Sequence, residues 1–345
     1  MRLAANGDKV LSWDGLPATK AAMTDTDLLA IVTRPDFPSG HGAIGDHLGL
    51  FRFAAARPGL VVRTIALNAG GTRLHLEGDR LAVAPAGEAP IELNRVGLVL
   101  YMPVSFEVEE TNLAALPAGE PHPLFAAQQW RPLTEFLEAA LPRLCRCVNE
   151  PAAMRRANNK LIQLDALRRC GLAPPATAIS TGFPRQGALA QRMRLIRKNI
   201  SEGGWKSETE FSPARLVGAD EAGDQAPAIW QVPIEADHEF RAYVMGEEVS
   251  FVRLERDAAI PDVRLTRSGR PAARIVEGAN GWKKLMLAAA RALALDYAVI
   301  DAMPAGEGLV ILEVNANGVW WFLPDEVAGA LETRFHAFLD RLIAG

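Results

Sequence analysis

Two carboxylates and an amide fall on the facing arms of one hairpin near the C-terminus. The segment Tyr297 to Gly318, YAVIDAMPAGEGLVILEVNANG, turns around Gly306 and Gly308. A turn centred near Glu307 sets Asp301 directly across from Glu313, and strand alternation puts Asn315 on the face of Glu313. Ile300, Ala302, Leu312 and Val314 then share the opposite, apolar face. Like charges directly opposite destabilise a sheet by about 0.2–1 kcal/mol, a penalty that a divalent cation removes. Two carboxylates and an amide oxygen make a hard-oxygen site, suited to magnesium shared with phosphates. The histidines and thiolates that select zinc are missing from this hairpin. A hairpin resting its acidic face in water has the same pattern, and a register slipped by one residue would separate the carboxylates. Residue types alone leave these readings open.

The elements that must position this face can be traced back along the chain. EFRAYVMGEEVSFVRLER forms another hairpin, turning at Gly246, and GWKKLMLAAARALAL between the two hairpins is an amphipathic helix. A third segment opens with AIWQVPI near Ile229. Before it, VNEPAAMRRANNKLIQLDALRRCGL reads as one helix: Asn149 caps it, Pro151 suits its first turn, Gly171 stops it, and Leu161, Leu164 and Leu167 form its stripe. LAPPATAIS leads into a strand, and RMRLIRKNI is another strand followed by a Gly203-Gly204 loop. The first third holds strands at LLAIVT, VVRTIAL, RLAVAP and GLVLYMPV, the last apolar enough to be buried on both faces. A helix from Pro123 to Leu144 carries Trp130, Leu133, Phe136, Leu137 and Leu141 at helical spacing, and a boundary falls near Cys147. The first ~25 residues read as an extension before the first strand.

With 345 residues the chain is long enough for two or three domains. It is 49% hydrophobic and 23% charged, which disfavours collagen-like, coiled-coil and disordered classes. A net charge of −4 suggests no nucleic-acid or membrane-surface partner. The N-terminus has no uninterrupted apolar region and reads as no secretory signal, and Leu285 to Ile300 is broken by Arg291 and Asp296, so no membrane span is expected. Cys145, Cys147 and Cys170 lack paired or zinc spacing, which fits a reducing cytoplasm. Charge is uneven, however: Pro151 to Arg215 holds 12 Lys or Arg against 4 Asp or Glu. Such a run makes either solvated helix faces or a surface that receives polyphosphate, and by itself it favours the former.

From about Val148 to Pro324, and more faintly through the N-terminal third, the sequence resembles the ATP-grasp ligases. Two branches stand out: the ribosomal-protein glutamate ligases and the graspetide (microviridin-type) peptide-modifying synthetases. AVIDAMPAGEGLVILEVNANG resembles the family's metal-binding hairpin, which implies Asp301, Glu313 and Asn315 as magnesium ligands. ANNKLIQLDALRRCGL resembles the helix carrying one nucleotide lysine, Lys160, and RLIRKNI the strand carrying a second, Lys198. IWQVPIEADHEFRAYVMG resembles the hinge, which implies that Val232, Pro233 and Ile234 face adenine, that Glu235 holds a ribose hydroxyl and that Arg241 points into the site. PDVR resembles an Asp-x-Arg motif, so Arg264 would steady the transferred phosphate or the acyl phosphate. The hinge departs from the usual Gln-Glu-aromatic pattern, and Pro233 removes a backbone donor.

The resemblance implies an α/β (α+β) ATP-grasp fold behind an N-terminal pre-ATP-grasp α/β domain, divided as 1–147, 148–226 and 227–345. It also implies ATP and Mg2+ as cofactors and a peptide or small-molecule carboxylate as partner, and leaves a homodimer open. The expected reaction is ADP-forming ligation through an acyl phosphate. NANGVWWFLP and the helix PLFAAQQWRPLTEFLEAAL resemble the peptide-modifying branch, which points to side-chain macrocyclisation of a ribosomal peptide. The alternatives are an amino-acid ligase acting on a protein tail or metabolite, and a nucleotide-binding protein without turnover. Trp320 and Trp321 line a substrate pocket or plug the core beneath the hairpin; His238 near the hinge is structural or packs near ribose, and Cys170 belongs to the core.

Overall fold

The computed structural model describes residues 28–32, 48–66, 73–78, 80–84, 89–102, 123–172, 174–200, 214–220, 226–256, 270–278, 280–306 and 308–344. Arg264, the Gly203-Gly204 loop, the N-terminal extension and Glu307 lie outside the described residues.

Four strands near the N-terminal end, β1 (Leu28–Val32), β2 (Val62–Ala66), β6 (Leu98–Met102) and β7 (Arg146–Val148), form a parallel sheet in the order β2-β1-β6-β7. The unbroken apolar run LVLYM of β6 has the expected cause. Val99 and Tyr101 enter one core, while Leu98, Leu100 and Met102 enter another on the opposite face. A small antiparallel sheet, β3 (Arg73–Glu77), β4 (Arg80–Ala84) and β5 (Ile91–Glu92), stands beside it. The helices here are α1 (Leu50–Ala55) and α2 (Pro123–Leu144).

The expected helix over 149–171 is broken into α3 (Pro151–Asn158) and α4 (Lys160–Arg169). Asn159 between them is extended, with φ −91 and ψ 100, and its side chain accepts from the N–H groups of Leu161 and Ile162 to cap α4. Short amide side chains offer the backbone this alternative to helix continuation, and the Asn158-Asn159 pair takes it. Asn149 does not cap α3. It is buried, and its side chain donates to Tyr297 O and Ala316 O and accepts from Asp296 N and Tyr297 N.

Two antiparallel sheets follow. β8 (Thr177–Thr181), β9 (Arg194–Lys198), β10 (Arg215–Gly218) and β11 (Pro227–Gln231) are ordered β10-β9-β11-β8 over a small core that includes Phe183, Leu195 and Trp230. β12 (His238–Met245), β13 (Glu248–Glu255), β14 (Ala273–Val276), β15 (Tyr297–Ala305) and β16 (Gly308–Asn315) are ordered β14-β13-β12-β15-β16. Strand alternation gives this second sheet two apolar faces. Ala242, Val244, Ile300 and Val314 meet α5 (Asn280–Ala292), whereas Tyr243, Met245, Val252 and Val299 meet α6 (Asp325–Ala344) and β6. Among the described residues, no helix is long and apolar enough to cross a membrane.

Candidate functional site

The site lies on the face of the five-stranded sheet that also carries Tyr243 and Val299, and strand pairing builds it. The β15–β16 register begins with Ala305 facing Gly308 and runs to Ala302 facing Ile311. Continued unchanged, it would place Asp301 opposite Leu312. A register shift between Asp301 and Ala302 inserts one extra residue, so Glu313 faces Asp301 and Asn315 faces Val299. Leu312 is therefore not part of the core face. Ile311 is buried there instead, and Leu312, half-buried, is the bulged residue.

Across three neighbouring strands, Arg241, Asp301 and Glu313 form a row of directly paired residues. Arg241 Nε lies 3.6 Å from Asp301 Oδ1. Asn315 Nδ2 donates to Asp301 Oδ2 at 3.2 Å. From α4, Lys160 Nζ reaches Glu313 Oε2 at 3.2 Å. The Arg241 guanidinium also sits 5.1 Å from the ring centroid of Phe322, within cation–π range. Opposite charges thus already offset the repulsion between the two carboxylates.

Lys198 comes from the other antiparallel sheet. Lys160 N–H bonds to Ile200 O at 3.4 Å, which ties the start of α4 to the chain just beyond β9. Burial pulls the Lys198 ammonium below the usual lysine range; Glu313 opposes that shift, Lys160 adds to it, and Asp301 and Glu239 oppose it more weakly. Ile229 pairs directly with Lys198, and Ile179 pairs with Ile229. Ile196, two residues before Lys198, shares its face. An apolar wall therefore flanks the lysine, and Ile179 in it remains exposed. Sequence reasoning passed over this wall, although strand alternation from Lys198 would have found Ile196.

The hinge residues Val232, Pro233 and Ile234 are half-buried beside this wall, and Glu235 is exposed. Val232 N–H already bonds to Ala176 O at 3.1 Å, and Pro233 has no donor. The carbonyls and Ile234 N–H are the segment's remaining polar backbone groups. Glu239 was also missed. It is buried two residues before Arg241 on β12, hence on the same face, and lies 3.7 Å from Arg256 Nε. Arg256 Nη1 in turn donates to Ala236 O at 3.5 Å, bracing the hinge from the residue just after β13.

The other singled-out residues divide by environment. Trp320 is buried against Tyr243 and Phe335 and fills core, whereas Trp321 is half-buried. His238 pairs with Asp237 and stacks edge-on to Phe240 at 5.0 Å. Cys170, expected in the core, is exposed, because the helix ends at Arg169 and turns through Gly171 at φ 72.

Among the described residues, no group of three or more His, Cys, Asp or Glu could hold a metal on its own. The set Asp301, Glu313 and Asn315 is of the kind that shares its ion with phosphate oxygens. Lys160, Lys198 and Arg241 outnumber its two carboxylates, so a bare divalent ion would add to a positive surplus. An ion arriving with a polyphosphate fits.

No protein-family model matches the chain. It is 28% identical over 179 residues to a probable alpha-L-glutamate ligase of Enterobacter sp. (strain 638), an alignment covering 49% of this chain and 59% of that one. It is 26% identical over 178 residues to the ribosomal protein bS6–L-glutamate ligase of Escherichia coli (strain K12 / DH10B), with the same coverage. The chain thus spans 59% of the length of these relatives. Among solved structures, macrocyclase MdnC bound with precursor peptide MdnA, from Microcystis aeruginosa MRC, superposes with a TM-score of 0.68 at 17% identity, covering 92% of this chain and 100% of that one. A Chryseobacterium gregarium RiPP-associated ATP-grasp ligase, in complex with ADP and a leader and core peptide, gives 0.65 at 15% identity, covering 91% and 97%. Both the glutamate-ligase and the peptide-macrocyclase resemblances read from the sequence are thereby supported.

Proposed function

We propose that this chain, whose fold is the mixed α/β ATP-grasp fold, is an ADP-forming ligase that activates a carboxyl group as an acyl phosphate. The acyl group then passes to an amine or hydroxyl, with macrocyclisation of a ribosomal peptide's side chains as the preferred reaction. The observation that carries this reading is the convergence of Lys160 and Arg241 on the paired carboxylates Glu313 and Asp301, with Lys198 within electrostatic reach. The peptide assignment draws on macrocyclase MdnC and the RiPP-associated ATP-grasp ligase, both solved with peptides and both matched almost end to end. The division into 1–147, 148–226 and 227–345 is part of the same proposal, although β11 at the start of the last segment pairs back onto β8 and β9 of the middle one; so is a reducing, cytoplasmic setting, and all three cysteines are free thiols.

In this reading Val232 to Ile234 and the isoleucine wall hold adenine, and Glu235 meets ribose. Lys160 and Lys198 offset phosphate charge, which a desolvated site makes more effective than water would. Arg241, held over Phe322 and beside Asp301, is preorganised toward the transferred phosphate and the substrate carboxylate. Arg264 is assigned a similar role. Asp301, Glu313 and Asn315 would hold magnesium, which supplies charge neutralisation to the phosphates. Excluding water protects the acyl phosphate from hydrolysis.

The test is ATP turnover with the candidate precursor peptide, followed by mass spectrometry. ADP formation with loss of one water per new bond in the peptide is the expected result. Turnover with free glutamate and no peptide would instead favour the amino-acid ligase reading, which the names of the curated relatives support. Nucleotide binding without ADP formation across a broad substrate panel would sink both.

A further inference from the structure

Gln163 is buried on α4, three residues after Lys160. Its Nε2 donates to Val314 O at 2.7 Å and to Ala157 O at 3.0 Å, and its Oε1 accepts from Val314 N at 2.9 Å. β16 is the outer strand of its sheet, and Val314 offers these backbone groups on the side away from β15. The amide therefore does for one residue what another strand would do for the whole edge. Val314 lies between Glu313 and Asn315, and residues three apart on a helix share a face. Gln163 grips the backbone where Lys160 must meet the neighbouring carboxylate.

We propose that Gln163 is a positioning residue: it fixes the rotation and height of α4 against β16, and so sets the Lys160–Glu313 contact and the affinity for magnesium nucleotide. Leu164 and Leu167 already give α4 its apolar anchorage. Burying an amide costs desolvation unless its partners are in place, so adhesion alone would be served by another apolar residue. Three bonds, two of them to one residue, specify register. The functional half of this inference rests on the ligase reading.

The test compares Gln163→Met, which keeps length and volume, with Leu167→Ala, which cuts the same helix's core without touching β16. In Gln163→Met the Val314 amide should exchange with solvent at least about tenfold faster than in the wild type. Its calorimetric affinity for Mg-ADP should fall about tenfold or more, with KM for ATP rising more than kcat falls. Leu167→Ala, though melting at lower temperature, should bind Mg-ADP within about twofold of the wild type. Unchanged Val314 exchange in Gln163→Met overturns the clamp. Equal loss of affinity in Leu167→Ala reduces Gln163 to a merely structural part. A wild-type chain that does not bind Mg-ADP overturns the ligase reading and the functional half with it, while Val314 exchange still decides the clamp.

Discussion

At the scale of single residues, the site is a row of charges whose roles separate under substitution. Glu313 touches Lys160 and faces Asp301, so Glu313→Gln removes a charge while keeping shape and most hydrogen bonding. ADP formation should drop by at least about 100-fold while the far-ultraviolet circular dichroism stays that of the wild type. Normal turnover in that variant would falsify the assignment of Glu313 to the metal. Lys198 is different, because burial already works against its charge. Lys198→Ala relieves that cost, so the variant should melt no lower than the wild type, yet its KM for ATP should rise about tenfold or more. Unaltered nucleotide affinity would remove Lys198 from the site. Asp301, Glu313, Lys160 and Arg241 could be proposed from sequence because strand alternation and the resemblance point the same way. Glu239 needed only the same alternation, counted back from Arg241. Arg256 could not be read at all, since its contacts run to Ala236 and Glu239 across a strand pair and no local pattern encodes them.

At the scale of elements, the sequence gives strands, hairpins and helix ends through periodicity, and loses the irregularities. The long helix at Pro123–Leu144 and both hairpin strand pairs follow from spacing alone. The bulge at Leu312 does not, because an extra residue costs no more in a sequence pattern than a longer turn. The break at Asn159 was hidden because an amide within a helical pattern looks like any polar surface residue until its capping bonds are seen. Asn149 is the sharper instance. It stands where a cap is expected, yet its side chain joins the start of β15 to the residue after β16 through four bonds. Asn149→Leu would keep the volume and strip two N–H donors and two carbonyls of this partner, three of the four bonds being buried, at a cost of about 3 kcal/mol or more. Urea denaturation should register that loss. A change below about 0.5 kcal/mol would mean that the network carries no weight.

At the scale of the whole molecule, α1 and the last helix, α6, are fastened to one another, which no sequence pattern announces. The alternation of strands and helices conveys a layered α/β protein, but α1 and α6 lie nearly three hundred residues apart and meet only in the fold. Arg52 Nε donates to Glu332 at 2.8 Å, Arg57 pairs with Asp340, and His336 Nε2 donates to Leu48 O at 3.3 Å with its ring 5.1 Å from that of Phe53. Gly49, at φ 66, lets the backbone approach so closely that a Cβ there would lie 2.3 Å from the Glu332 carboxylate carbon. The hydrogen bond from Arg52 holds the Glu332 carboxyl below its usual range, and Arg57 does the same for Asp340. Burial pulls His336 below the usual histidine range. For all three groups the unfolded chain binds protons more readily than the folded one. Their contribution is therefore complete above their unfolded pKa values, about 6.5 for histidine and about 4 for the carboxylates, and is lost as pH falls through the lowered folded values. Exposure limits each ion pair to about 0.5 kcal/mol. An Arg52→Ala/Arg57→Ala double variant should thus be less stable than the wild type by roughly 1 kcal/mol at neutral pH. Followed by urea midpoints, that gap should begin to close below about pH 4, where the carboxylates freed of their arginines become neutral, and should vanish as the pH falls through the lowered values of the wild type. A gap that stays constant with pH would mean that the arginine stems, packed as apolar surface, hold α1 to α6 and that their charges do not.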